Sequence, residues 1–72
     1  MKTITIHVFD KITSRSMSET INIYGKTKEQ IKNESDRFFS EIPFYKWYYE
    51  VECYDDLTDE EQLILDELDL NN

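Results

Sequence analysis

FYKWYYEVECY, residues 44–54, alternates without a break. Tyr45, Trp47, Tyr49, Val51 and Cys53 fall in one phase, and Phe44, Lys46, Tyr48, Glu50, Glu52 and Tyr54 in the other. Successive side chains of a strand point to opposite faces, so a period of two over this length predicts a half-buried strand. Only the second phase carries charge. The first phase is therefore expected in the core, with Cys53 as a small buried hydrophobe.

Working outward from this strand, "IP" at 42–43 is a stop signal, because the residue before proline avoids the α region. Ahead of it, "TKEQ" at 27–30 has the form of a capping box, with Thr27 as cap and Gln30 reaching back. The helix it opens should run to about Ser40, placing Ile31, Phe38 and Ile42 on one side with Ser35 as a small gap. Earlier still, "KTITIHVF" (2–9) and "MSETINIY" (17–24) alternate in the same way. Ile4, Ile6 and Val8 share one phase, as do Met17, Ile21 and Ile23. "DKITSRS" between them reads as a polar turn, so a β-hairpin follows, ended by Gly25.

Downstream, "TDEE" at 58–61 is a second capping box, Thr58 with Glu61, opening a helix that should end near Asp69. The order is β-β-α-β-α. The economical architecture is α+β: a two-layer sandwich, one domain over 1–72, with a three-stranded antiparallel sheet and two helices on one face. A chain this short buries only about 60% of its unfolded surface, so its ten aromatic residues are needed for the core.

Charge is distributed unevenly. Residues 1–46 hold six acids and all eight bases, a balance of +2; residues 47–72 hold ten acids and no base, a balance of −10. This polarity speaks against direct contact with nucleic acid or an anionic membrane and for a basic protein partner. Because no base is interspersed, the acidic face is expected to lack salt bridges. Like charges held close together cost stability in a small fold, which suggests that they are used.

The residues expected to carry charge to a partner are Glu50, Glu52, Asp55, Asp56, Asp59, Glu60, Asp66 and Glu67. Glu50 and Glu52 would lie roughly 6–7 Å apart on one strand face, and Asp59 and Asp66 roughly 10 Å apart along the helix. Those spacings are of the order of phosphate separations on a duplex, which suggests DNA mimicry. Tyr48, Tyr54 and Leu63 are the expected anchors. Leu63 sits amid Asp59, Glu60, Asp66 and Glu67, whereas Ile64, Leu65 and Leu68, with Leu57 ahead of the cap, fall on the opposite, buried arc. The competing reading makes Leu63 a scattered surface apolar residue and the acids a solubilising surface.

Tyr24, Tyr48, Tyr54, Phe9 and His7 belong to the outward phase of the sheet. With Glu50 and Glu52 among them, that face suits a protein contact or a homodimer better than RNA. Catalysis finds little support. His7 is the only histidine, and Cys53, the only cysteine, offers neither an intrachain disulfide nor a cysteine-based zinc site. The acidic run lacks the spacing and central glycine of a calcium loop. No catalytic residue, cofactor or metal is expected. The opening "MKTITIHVFD" lacks the apolar run of a signal peptide, and no segment approaches a membrane span, so a cytoplasmic protein is expected.

In size, acidity and one-domain economy the chain resembles the small inhibitors that bacteriophages and mobile elements encode against host nucleases, CRISPR effectors, repair enzymes and transcription proteins. The resemblance is one of composition and is carried by no motif. It implies a non-enzymatic protein, working in the host cytoplasm, that blocks a basic nucleic-acid-binding protein as a DNA mimic. An assembly or antitoxin-like module is the alternative.

Overall fold

β-branched residues at every second position make Thr3–Asp10 the central strand. In the computed structural model, which describes residues 2–71, this strand (β1) is buried at each of Ile4, Ile6, Val8 and Asp10 and only partly covered between them. β2 (Ser16–Asn22) pairs with it antiparallel on one side and β3 (Trp47–Glu52) antiparallel on the other, giving the order β2-β1-β3. α1 (Lys28–Ser40) and α2 (Asp59–Glu67) complete the β-β-α-β-α chain. Ile31 and Phe38 of α1, Leu65 of α2 and Leu70 beyond it join Ile4, Ile6, Val8, Ile21, Ile23 and Val51 in one core. Both helices thus lie on the same face of the sheet. Each side chain so buried contributes on the order of 1.5–3 kcal/mol.

The β1–β2 turn is held by a buried acid. The carboxylate of Asp10 accepts the amide of Ile12 at 2.8 Å and the hydroxyl of Thr13, with Arg15 Nε 4.0 Å away. These donors, the Thr13 hydroxyl first, hold its carboxyl below the usual range against the opposing effect of desolvation. The local side-chain bond lets Ser14 adopt a positive φ of 63° and sends the chain back. Gly25, with φ 73°, turns the chain out of β2.

Both helices begin as expected, with complete capping boxes at Thr27/Gln30 and Thr58/Glu61. Ser35 is the buried small residue between Ile31 and Phe38, and its hydroxyl donates to the Lys32 carbonyl at 3.0 Å. α2 ends in a Schellman motif: the Leu70 amide donates to the Leu65 carbonyl at 2.8 Å and the Asp69 amide to the Asp66 carbonyl at 3.2 Å, with Asp69 left-handed at φ 61°. That reversal folds Leu70 under the helix, a burial the sequence reading did not include.

The third strand departs most from expectation. It spans six residues, so the core-facing phase is only Trp47, Tyr49 and Val51. Tyr45 is 84% exposed and Cys53 is exposed. Tyr45 precedes the strand, in the connection after Pro43, and Cys53 follows it, where the chain turns toward Asp55. The two-residue period continues in the sequence after the pairing that gives it meaning has stopped.

Candidate functional site: an anionic surface on three elements

The predicted site residues fall into three groups. Tyr48, Glu50 and Glu52 stand on the sheet face away from the helices, with Tyr54 just past the strand. Asp55 and Asp56 occupy the β3–α2 connection. Asp59, Glu60, Leu63, Asp66 and Glu67 form the exposed side of α2. Leu63 is 57% exposed, while Leu65 is buried and Leu57, Ile64 and Leu68 are half-buried, as the helical spacing requires.

The outer sheet face is built from cross-strand rows. Thr5 and Thr20 share a hydroxyl hydrogen bond at 3.1 Å. His7 Nδ1 bonds Ser18 Oγ at 2.8 Å, and its Nε2 lies 3.3 Å from Glu52 Oε2, off the line of a hydrogen bond. Phe9 stacks on Tyr48 at 5.1 Å between ring centroids, with Lys11 Nζ 6.0 Å from the Tyr48 ring. The Tyr54 hydroxyl donates to Glu52 at 2.9 Å, which with His7 lowers the Glu52 carboxyl below its usual range. The Ser18–His7–Glu52 row spans all three strands and is a feature the sequence reading missed. Only the pairing register, His7 opposite both Ser18 and Glu50, makes it visible.

The expectation that the acidic half forms no salt bridges is overturned. Lys2 Nζ lies 2.7 Å from Glu61 and Lys28 Nζ lies 3.1 Å from Glu67. Both cations come from the front half, 59 and 39 residues away in sequence. Folding sets the start of β1 and the start of α1 against opposite ends of α2, which no count along the chain can reveal. Glu61 is held below the usual carboxylate range by Lys2 and then by the Thr58 amide, and Lys2 is raised by the same bond.

Glu52 apart, the other acids of the predicted site form no salt bridge. Among the described residues, Glu50, Asp55, Asp56, Asp59, Glu60 and Asp66 have no Lys or Arg nitrogen within 4.0 Å. Asp55 accepts the Thr3 amide at 2.9 Å, which ties the connection to the start of β1. Asp66 accepts from Gln62 at 3.0 Å and from Asn71 at 2.7 Å. Asp55 and Asp56 also rim a shallow groove floored by Val51, Leu65 and Leu70. Asp59 and Glu60 project from the first turn of α2, where the helix dipole favours negative charge.

Among the described residues no group of three or more His, Cys, Asp or Glu side chains is placed to hold a metal ion. No described helix is long and apolar enough to cross a membrane. Comparison with family models, with curated proteins and with solved structures returns no match.

Proposed function

We propose that this chain is a non-enzymatic acidic binding protein that docks on, and blocks, the cationic surface of a nucleic-acid-binding protein, substituting for the nucleic acid. The observation that carries this reading is the set of six carboxylates left, among the described residues, without a Lys or Arg nitrogen within 4.0 Å. Glu50 stands on the outer sheet face, Asp55 and Asp56 in the β3–α2 connection, and Asp59, Glu60 and Asp66 on the exposed side of α2. Asp55 and Asp66 are tied by hydrogen bonds from Thr3 and from Gln62 and Asn71, so these two have less conformational freedom to lose on binding. The field of all six would steer a cationic partner at long range. Glu52 and Glu67 contribute at the rim, Glu52 beside His7 and Glu67 paired with Lys28. The Ser18–His7–Glu52 row is read as structural: it lies on an open sheet face and ties the three strands together side by side.

A second reading is favoured by the exposed apolar groups: Tyr54 is 89% exposed and Tyr48 46% exposed. In it the protein is an assembly or antitoxin-like module whose aromatic residues make the contact while the acids serve solubility. One experiment separates the two. Immobilised protein is used to capture nucleic-acid-binding proteins from lysate, and duplex DNA and rising salt are applied as competitors. Charge substitution predicts displacement by DNA, steep loss with salt, and abolition of capture by Asp59→Lys/Glu60→Lys. Capture that ignores salt and DNA but is lost in Tyr48→Ala would overturn it for the module.

A further inference from the structure

The two edges of the sheet are built differently. The Ile23 amide donates to the Lys2 carbonyl and the Asp10 amide to the Arg15 carbonyl, which fixes the parity of the β1–β2 ladder. Odd-numbered residues of β2 therefore bond β1, and Ser16, Ser18, Thr20 and Asn22 turn their main-chain groups outward. On the other side the Lys11 amide donates to the Lys46 carbonyl. By the same parity Tyr48, Glu50 and Glu52 bond β1, while Trp47, Tyr49 and Val51 present N–H and C=O groups to the open edge. Among the described residues nothing is bonded to those groups.

An open edge invites another strand unless it is guarded. The β2 edge is guarded by Glu19, a charged residue on the helix-facing side of the strand that stays exposed beside α1. The β3 edge has no such device: it contains no proline, glycine or inward charge. Its helix-side residues Trp47 and Tyr49 remain half-buried against Phe39, with centroids 5.6 and 5.1 Å from it. Tyr45, just ahead of the strand, is almost bare.

This edge is also self-complementary. Counting outward from Tyr49, Trp47 and Val51 are two residues away, and Lys46 and Glu52 three. We propose that a second copy of this chain is the occupant: two β3 strands pair antiparallel about a two-fold axis at Tyr49, fusing the two sheets into one of six strands. In that register every outward N–H of Trp47, Tyr49 and Val51 meets a carbonyl. On the helix side Tyr49 faces its own equivalent and Trp47 faces Val51 of the second copy. On the outer side Lys46 faces Glu52 of the second copy and Tyr48 faces Glu50. Moving the axis to Glu50 would instead set Glu50 against its own equivalent, which is disfavoured. The outer-face acids of α2 and the β3–α2 connection lie off the paired strand, so the dimer would offer two anionic surfaces.

Each copy carries a net charge of −8, so long-range repulsion opposes the pairing and added salt strengthens it. That sign is opposite to the one expected for docking on a cationic partner, so the two ideas fail separately. Sedimentation equilibrium tests the dimer directly. Lys46→Glu should weaken association about tenfold, because two cross-strand pairs become repulsive. Lys46→Glu/Glu52→Lys leaves the net charge unchanged and should restore affinity to within about threefold.

A disulfide trap reads the register. Lys46→Cys/Glu52→Cys on a Cys53→Ser background should give covalent dimers on mild oxidation, since facing residues in non-hydrogen-bonded pairs have Cα atoms about 4.5 Å apart. Within one chain the two positions are roughly 20 Å apart along the strand and cannot bridge. A monomer at every concentration up to about millimolar overturns the proposal. So does a charge swap that fails to restore affinity, or preferential cross-linking of Lys46→Cys with Glu50→Cys, which reports a different register.

Discussion

The two helices start alike and end as different devices. Each opens on a threonine cap with a reciprocal box. α1 then buries Ile31, Ser35 and Phe38 and balances its outer face with pairs such as Lys32–Asp36 at 2.6 Å. α2 buries only Leu65 within its own length and carries no base at all. Its hold on the domain comes from its ends: Leu57 ahead of it, Leu70 folded back beneath it, and Lys2 and Lys28 reaching in from other elements. The contrast separates two tasks. One helix completes the core, and the other is a charged surface pinned in place.

Truncating the core face of each helix should give the largest effects. Phe38→Ala is expected to cost about 3–5 kcal/mol, which takes most of the stability of so small a domain. Leu65→Ala should cost about 2–5 kcal/mol, with α2 losing amide protection before the sheet does. Urea denaturation ranks the two, and hydrogen exchange resolved by element shows which part opens. If Leu65→Ala opens the sheet and α2 together, the idea of a separately pinned helix is wrong.

What was legible in the sequence follows the same division. The alternation in β1, both capping boxes, the Ser35 gap and the exposed Leu63 are local patterns, and each reappears in the structure. Tyr45 and Cys53 were misplaced because a run of alternating residues says nothing about where strand pairing ends. Leu70 was missed because its burial depends on a left-handed turn at Asp69, where no glycine signals it. Among the site residues, exposure was readable from phase and spacing. Partnership was not, because Lys2–Glu61, Lys28–Glu67 and the Ser18–His7–Glu52 row all join residues distant in sequence.

The caps should separate the helices by pH. Thr27→Ala and Thr58→Ala should each cost about 1 kcal/mol at neutral pH, measured by thermal or urea unfolding. The α1 box closes with Gln30, which does not titrate, and the α2 box with Glu61, whose carboxyl is lowered by Lys2 and the Thr58 amide. A lowered carboxyl stabilises the fold above its unfolded pKa, near 4.3, and that contribution is lost as pH falls through the folded value. Acid should therefore loosen the start of α2 while the start of α1 persists. Glu61→Gln should be less stable than wild type at pH 7, with the gap closing below about pH 4.3. A gap that does not change with pH would show that the Lys2–Glu61 pair adds nothing to the cap.

The C-terminal ends differ as well. α1 ends on Glu41 with an ordinary right-handed backbone, while α2 ends through Asp69 at φ 61°. Asp69→Gly should stabilise the protein by roughly 0.5–1 kcal/mol, because glycine takes that conformation without steric cost. It also removes an anion from the helix end that disfavours one. The stronger Tyr49 bond survives the change, since the phenol donates to the Asp69 main-chain carbonyl at 2.9 Å and meets the carboxylate only at 3.4 Å. A loss of stability would mean that the carboxylate contact outweighs the strain.

The smallest effect concerns the one ion pair that, among the described residues, joins the helices directly. Lys28 sits in the first turn of α1 and Glu67 in the last turn of α2, each at the end its own helix dipole disfavours. Their bond at 3.1 Å is half exposed, so Lys28→Ala should change stability by less than about 0.5 kcal/mol. The double-mutant cycle is more informative than either single change. Lys28→Ala/Glu67→Ala removes two unfavourable dipole interactions along with one favourable pair, so the double variant should be as stable as wild type. A coupling energy well above 0.5 kcal/mol would instead make this pair a true strut between core helix and charged helix. The acidic surface would then owe its position to a cation at its edge, and Lys28→Ala would weaken partner binding even though it makes the protein more negative.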